Sequence, residues 1–74
     1  MSAPAPAQIV IQLDGRPHAL DAGTTLAQLV TALGHEERAV STAINGDFVP
    51  REQRGQRVLT NGDLVLLFQP IVGG

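Results

Sequence analysis

The sequence predicts a two-layer α+β domain, a mixed sheet of about five strands with one main helix packed on one face. Three observations carry this: apolar residues alternate with period two near the start and form a short continuous run near the end, one short segment has a helical stripe with start and stop signals, and turn dipeptides punctuate the strands. A single stripe-faced helix covers only one face of a sheet, hence two layers. The chain has 74 residues, which allows one small domain and leaves no room for a large cofactor pocket. Apolar residues make up 43 %, enough for a core, and charged residues only 16 %, too few for a typical disordered chain.

Residues 1–7 alternate alanine and proline, which favours polyproline II, and are expected to form a leader outside the fold. Gln8 to Leu13 follows as a strand with Ile9, Ile11 and Leu13 on one face. Asp14-Gly15-Arg16-Pro17 is a turn signal, and His18-Ala19-Leu20 returns as a short second strand. Thr25 and Gln28 have the spacing of a capping box. Leu26, Leu29, Val30 and Leu33 then fall at i, i+3, i+4 and i+7 of a helix of about nine residues, and Gly34 stands where a C′ glycine belongs.

After the polar linker His35-Glu36-Glu37-Arg38, Ala39 to Asn45 reads as a strand with Val40, Thr42 and Ile44 on one face. Asn45-Gly46 is a strong hairpin signal, and Phe48-Val49 returns until Pro50 ends the pairing. Residues 51–57, carrying Arg51, Arg54 and Arg57, read as a solvated loop with room for one helical turn. Val58-Leu59 is a short extended piece, Asn61-Gly62-Asp63 turns the chain, and Leu64 to Gln69 is the most apolar strand. The order is hairpin, helix, hairpin, strand. The helix supplies the crossover that a parallel pairing of first and last strands requires, and that arrangement is a β-grasp. The expected domain spans residues 8–70, followed by a flexible tail at 71–74.

Composition removes most catalytic chemistry. The absence of cysteine excludes disulfides, thiol nucleophiles and thiolate metal sites, and the absence of lysine excludes Schiff bases. His18 and His35 lack the spacing of a metal pair and read as solvated surface residues, so no metal site is expected; Ser2 and Ser41 lack a nucleophile motif. The net charge of -2 and only two aromatic residues argue against nucleic acid. The longest apolar run is far below the roughly 20 residues of a membrane span, and the N-terminal stretch lacks a secretory pattern, so a cytoplasmic, non-enzymatic protein is expected.

The sequence ends on Gly73-Gly74, directly after Ile71-Val72. Glycine has no Cβ, so the last two peptide units can enter a narrow channel with the carbonyl open to attack. A carboxylate is inert until it carries a leaving group such as an adenylate; once activated it accepts a nucleophile, sulfur included.

Taken together, Ala43-Ile44-Asn45, Val49-Pro50-Arg51-Glu52, Asn61-Gly62-Asp63, Leu66-Leu67-Phe68-Gln69 and Ile71-Val72-Gly73-Gly74 resemble the ThiS family, the sulfur carriers of thiamine thiazole biosynthesis. The match is in register over residues 39–74 and agrees in element order over 8–38. It implies a ubiquitin-like β-grasp. It further implies that a ThiF-like adenylating enzyme uses ATP on the terminal carboxylate, with no cofactor bound by the carrier itself. Sulfur from a cysteine desulfurase or a rhodanese-type donor then makes the thiocarboxylate, which a ThiG-like thiazole synthase consumes. Carried over, Gly74 is the modified residue, and Gly73, Val72 and Ile71 give access to it. Three features depart from the pattern: Arg54 stands near a place often held by an aromatic residue, Pro70 precedes Ile71, and the Ala-Pro leader has no counterpart.

By analogy with ubiquitin-like tails, Val65 and Leu67 face the helix. Leu64, Leu66 and Phe68 then face outward as a partner interface to which Arg51 is added. Arg51, Arg54 and Arg57 are most simply a solvated loop, with pairing to an acidic partner patch as the alternative. The alternative places Phe68 in the core. At the level of function, the alternatives are a carrier for molybdopterin or for cysteine or methionine biosynthesis, which share the terminal Gly-Gly, and a β-grasp interaction module without a chemical role.

Overall fold

The computed structural model describes residues 7–69. Its elements are β1 (Gln8–Leu13), β2 (Arg16–Asp21), α1 (Leu26–Ala32), β3 (Ser41–Ile44), β4 (Asp47–Val49), a 3₁₀ helix (Arg51–Gln56) and β5 (Leu64–Phe68). They form one five-stranded sheet in the order β2-β1-β5-β3-β4. β1 and β5 are parallel in the middle, flanked by the two antiparallel hairpins. This is the mixed β-grasp sheet expected from the crossover argument.

Local chemistry explains most boundaries. Asp14 and Gly15 have φ of 51° and 85°, and Asn45 and Gly46 have 53° and 87°. Two consecutive positive values are what a type I′ hairpin turn demands, and Asp, Asn and Gly tolerate them best. The first turn is therefore two residues long, and β2 begins at Arg16 rather than at the expected His18. Pro17 lies inside β2 opposite Gln12. Leu13 and Arg16 close the turn as a hydrogen-bonded pair, so the next pair is non-bonded. The donor that proline lacks thus faces the free edge of the sheet.

The capping box at α1 forms as read: Gln28 N–H donates to Thr25 Oγ1 at 3.2 Å and Thr25 N–H donates to Gln28 Oε1 at 2.9 Å. At the other end Gly34 N–H donates to Thr31 O and His35 N–H to Val30 O, at 2.9 and 3.2 Å. That is a Schellman motif, with Gly34 at φ 84° in the C′ position. Early closure by this motif leaves Leu33 as the C-cap and the helix at seven residues.

The core lies between α1 and the inner sheet face. Ile11, Leu26, Leu29, Val30, Ile44, Leu59 and Val65 are fully buried, with Val40 and Val49 beside them. Thr42 shares that face; its hydroxyl donates to Val49 O at 2.9 Å, which satisfies it inside the core.

Two expectations are corrected here. Residues 51–57 contain the helical turn they have room for, as the 3₁₀ helix, and are mostly exposed, but Arg54 within it is buried rather than solvated. Its guanidinium donates through Nε to Thr42 Oγ1 (3.1 Å), through Nη1 to Glu37 O (2.8 Å) and through Nη2 to Val40 O (2.6 Å). For the same reason β3 starts at Ser41 rather than Ala39: the carbonyls of Glu37 and Val40 turn toward Arg54 instead of joining the ladder. Residues 1–6 of the leader and the tail from Pro70 to Gly74 lie outside the described residues. Ala7 is tied to the first hairpin, its carbonyl accepting from Ala22 N–H at 2.8 Å. Among the described residues, no helix is long and apolar enough to cross a membrane.

Candidate functional site: the outer face of the sheet

Side chains alternate across a strand, and residues paired in register share a face. Val65 sits opposite Ile44, so both point to the helix; Leu66 sits opposite Ala43, and Phe68 opposite Ser41, so these point away. Burial agrees: Val65 is 0 % exposed, whereas Leu64, Leu66 and Phe68 are 53 %, 47 % and 48 % exposed. Leu67, on the inner face, packs against the core. The outward row read from the sequence is therefore present, and Phe68 is not a core residue.

The row is wider than expected. Phe48, opposite Ala43 on the outer face, is exposed, as is Val10 on β1. Among the described residues, five of the six exposed large apolar side chains lie on this one face, with Val58 the exception. The Asn45-Gly46 turn contains the signal that finds Phe48: a two-residue hairpin fixes Phe48 opposite Ala43, beside Leu66. A face with this apolar share on so small a domain is the candidate interaction surface.

Arg51 opens the 3₁₀ helix and is exposed. With Ser41, Phe48 and Glu52 it lines a shallow depression at the β4 edge, which places a cation at the rim of the apolar face. The three arginines read together as one loop thus separate. Arg51 is free at the rim, Arg54 is internal, and Arg57 lies 3.9 Å from Asp63, the sole ion pair among the described residues.

The motif residues on the turns serve a different purpose. Asn45 Nδ2 donates to Asp63 Oδ1 at 3.0 Å, and Asn45 Oδ1 accepts from Leu64 N–H at 2.9 Å. Asp63 also accepts from Thr60 N–H and the Thr60 hydroxyl, at 2.8 and 3.0 Å. Asn61 Oδ1 accepts from Val10 N–H at 2.9 Å. Burial alone would raise the Asp63 pKa, but the Thr60 backbone, the Asn45 amide, the Thr60 hydroxyl and Arg57 together hold the carboxyl below its usual range. These polar residues pin the start of β5 between β1 and β3. The strand then runs along the centre of the sheet with its apolar row outward and its end pointing toward Gln69.

Gly74, Gly73, Val72 and Ile71 lie outside the described residues. His18, on β2, and His35, just after α1, are far apart in the fold order. Among the described residues no group of three His, Cys, Asp or Glu side chains converges to hold a metal.

The chain matches the ThiS family over residues 7–74. It is 43 % identical to the sulfur carrier protein ThiS of Escherichia coli (strain K12) over 53 residues, which is 72 % of this chain and 80 % of that protein. The crystal structure of the thiamine biosynthesis protein ThiS from Geobacter metallireducens superposes with a TM-score of 0.78 at 23 % identity, covering 89 % of this chain and all of that one. The crystal structure of SAMP1 from Haloferax volcanii gives a TM-score of 0.58 at 18 % identity over 92 % of this chain. The two structural likenesses show the shared ubiquitin-like β-grasp. The family match and the sequence identity go further: this chain belongs to the ThiS family.

Proposed function

We propose that this protein is a sulfur carrier for thiazole formation in thiamine biosynthesis, that it catalyses nothing itself, and that its reactive group is the carboxylate of Gly74. The observation that carries the reading is the geometry of β5. One strand presents the exposed row Leu64, Leu66 and Phe68 and leads within two residues into Pro70-Ile71-Val72-Gly73-Gly74. A partner that docks on the row is thereby handed the tail. Five residues reach at most about 18 Å, enough to enter an active site beside the docked face. The name of the Escherichia coli relative supports sulfur carriage, and that of the Geobacter metallireducens protein supports the pathway.

In the first step a carboxylate oxygen of Gly74 attacks the α-phosphorus of ATP in a ThiF-like enzyme, and pyrophosphate leaves. In the second, the outer sulfur of a persulfide on a desulfurase or rhodanese-type donor attacks the acyl carbon. The C–S bond forms, the C–O bond to AMP breaks, and a proton passes to solvent. The acyl disulfide so made is cleaved by a thiol reductant, which is oxidised to its disulfide as the thiocarboxylate and the donor thiol are released; free sulfide would give the thiocarboxylate directly. A ThiG-like synthase then takes the sulfur. ATP is bound by the partner, and this chain needs no cofactor. Its own part is presentation. Gly73 and Gly74 have no Cβ to obstruct a channel, Ile71 and Val72 line the approach, the outer face docks, and Arg51 at the rim meets an acidic partner patch. Such work belongs in the cytoplasm, where ATP is available.

The test is intact-mass analysis of the protein with a free C-terminus after incubation with a ThiF-like enzyme, ATP and sulfide. The expected gain is the replacement of one oxygen by one sulfur, and deletion of Gly74 abolishes it. Equal loading of the shortened chain overturns the proposal.

A further inference from the structure

We infer that Asp14 is a positioning residue that fixes where the chain leaves the sheet on its way to the tail. The inference rests on the carrier reading for its consequence, but its structural basis is independent of it. β1 and β5 pair in parallel only at Gln12 with Leu64 and Leu13 with Val65. On that side of β5 the ladder runs from Gln12 N–H to Asp63 O at 2.8 Å and from Asp14 N–H to Val65 O at 2.9 Å. The slanted pattern of a parallel pair would next send Leu67 N–H to the carbonyl of Asp14. The backbone is not there to receive it, because Asp14 already sits in the hairpin turn at φ 51°. The Asp14 side chain takes its place: Leu67 N–H donates to Asp14 Oδ1 at 3.1 Å.

One residue therefore does two things that conflict elsewhere. Its backbone turns away to start β2, and its carboxylate continues β1 by one more rung. Without that rung the β1-facing side of β5 ends at Val65, while Leu64, Leu66 and Phe68 face β3 and keep their partners there. The last residues of β5 would then be held from one side only. Phe68 is the last docking side chain and the last strand residue before the tail. The rung at Leu67 thus sets the aim of Phe68 and holds the last residues of β5 from both sides. A partner that must order this segment on docking meets that cost in binding rather than in the chemical step.

The experiment compares Asp14→Gly, Asp14→Asn and the unaltered protein. Glycine accepts positive φ and keeps the type I′ turn while removing the acceptor, and asparagine keeps both the turn and an acceptor oxygen. Amide hydrogen exchange by NMR is read at Leu67, with Leu64, held by Asn45, as the internal reference. D14G is expected to speed exchange at Leu67 by about tenfold, the order of one charge-assisted hydrogen bond at a strand end, and to leave Leu64 unchanged. D14N restores slow exchange. In the loading reaction D14G raises the KM of the adenylating enzyme for the carrier several-fold at unchanged kcat, and D14N matches the unaltered protein. Unchanged Leu67 exchange in D14G, or D14N as fast as D14G, overturns the inference. A failure of the carrier reading shows instead as no loading of any of the three proteins, with the exchange difference intact.

Discussion

The two faces of β5 are built from nearly the same residue types and do opposite things. Val65 and Leu67 are apolar, sit under α1 and hold the fold together; Leu64, Leu66 and Phe68 are equally apolar, lie between them in sequence and face solvent. In an ordinary antiparallel domain the solvent face is polar. Here it is left apolar at the centre of the sheet, flanked by Ala43 and Phe48 on one side, with Val10 exposed on the same face of β1. Hydrophobicity alone therefore does not separate core from contact surface in this molecule; strand parity does. One face pays its way in stability, and the other is the face that the carrier proposal assigns to a partner.

That comparison can be broken by placing the same charge on each face. Val65→Asp buries a carboxylate without a partner and is expected to cost about 4 kcal/mol or more, enough to unfold so small a domain. Phe68→Asp is expected to shift thermal stability by about 0.5 kcal/mol or less while cutting partner binding at least tenfold. Thermal melts of both, with binding to the adenylating enzyme for the folded one, check the pair; comparable melting losses would place Phe68 in the core after all.

Arg54 sharpens the comparison, because it is a charged residue that behaves as part of the inner face. Arg54→Met leaves the carbonyls of Glu37 and Val40 and the Thr42 hydroxyl without their donor and is expected to cost about 3 kcal/mol by denaturant unfolding. Arg51→Met, at the exposed rim, is expected to change stability by about 0.5 kcal/mol or less.

A smaller effect than at Val65 or Arg54 is expected at the turn network that aligns the two faces. Asn45→Gly keeps the positive φ and removes the bonds to Asp63 and Leu64, at a cost of about 1–2 kcal/mol. It also changes the response to acid. The Asp63 pKa is depressed in the folded state, so the unfolded chain binds the proton more readily. The stability this contributes is present above the ordinary Asp pKa of about 4 and is lost as pH falls through the lower folded value. Removing the Asn45 donor raises that folded value toward the ordinary one, so part of this contribution disappears and the acid-unfolding midpoint moves up.

Much of this architecture is legible in the sequence because its determinants are local. The Asn45-Gly46 turn, the Thr25–Gln28 capping box and Gly34 each depend on residues within a few positions of one another, and each forms as read. Two of the places where the reading failed, the start of β2 and the burial of Arg54, share a cause. Pro17 is acceptable in a strand only because β2 is an edge, and Arg54 is acceptable in the interior only because three acceptors from another segment converge on it. The outer apolar face was half legible: alternation divides the all-apolar β5 into two rows, the likeness to ubiquitin-like tails chose between them, and Phe48 and Val10 join the outer one only through the pairing of other strands.

By itself the sequence determined the kinds of elements, their order, the helix caps, the hairpin turns and the Gly-Gly ending, since each is a matter of backbone preference or period over a short stretch. The tertiary structure alone decided which polar side chains became structural. The Asn45–Asp63 bond joins residues 18 apart, the Asn61–Val10 bond 51 apart and the Asp14–Leu67 bond 53 apart. No local pattern encodes such contacts, because a side chain's partner at that separation is set by which strands lie side by side, and that is fixed only when the whole sheet has closed over its core.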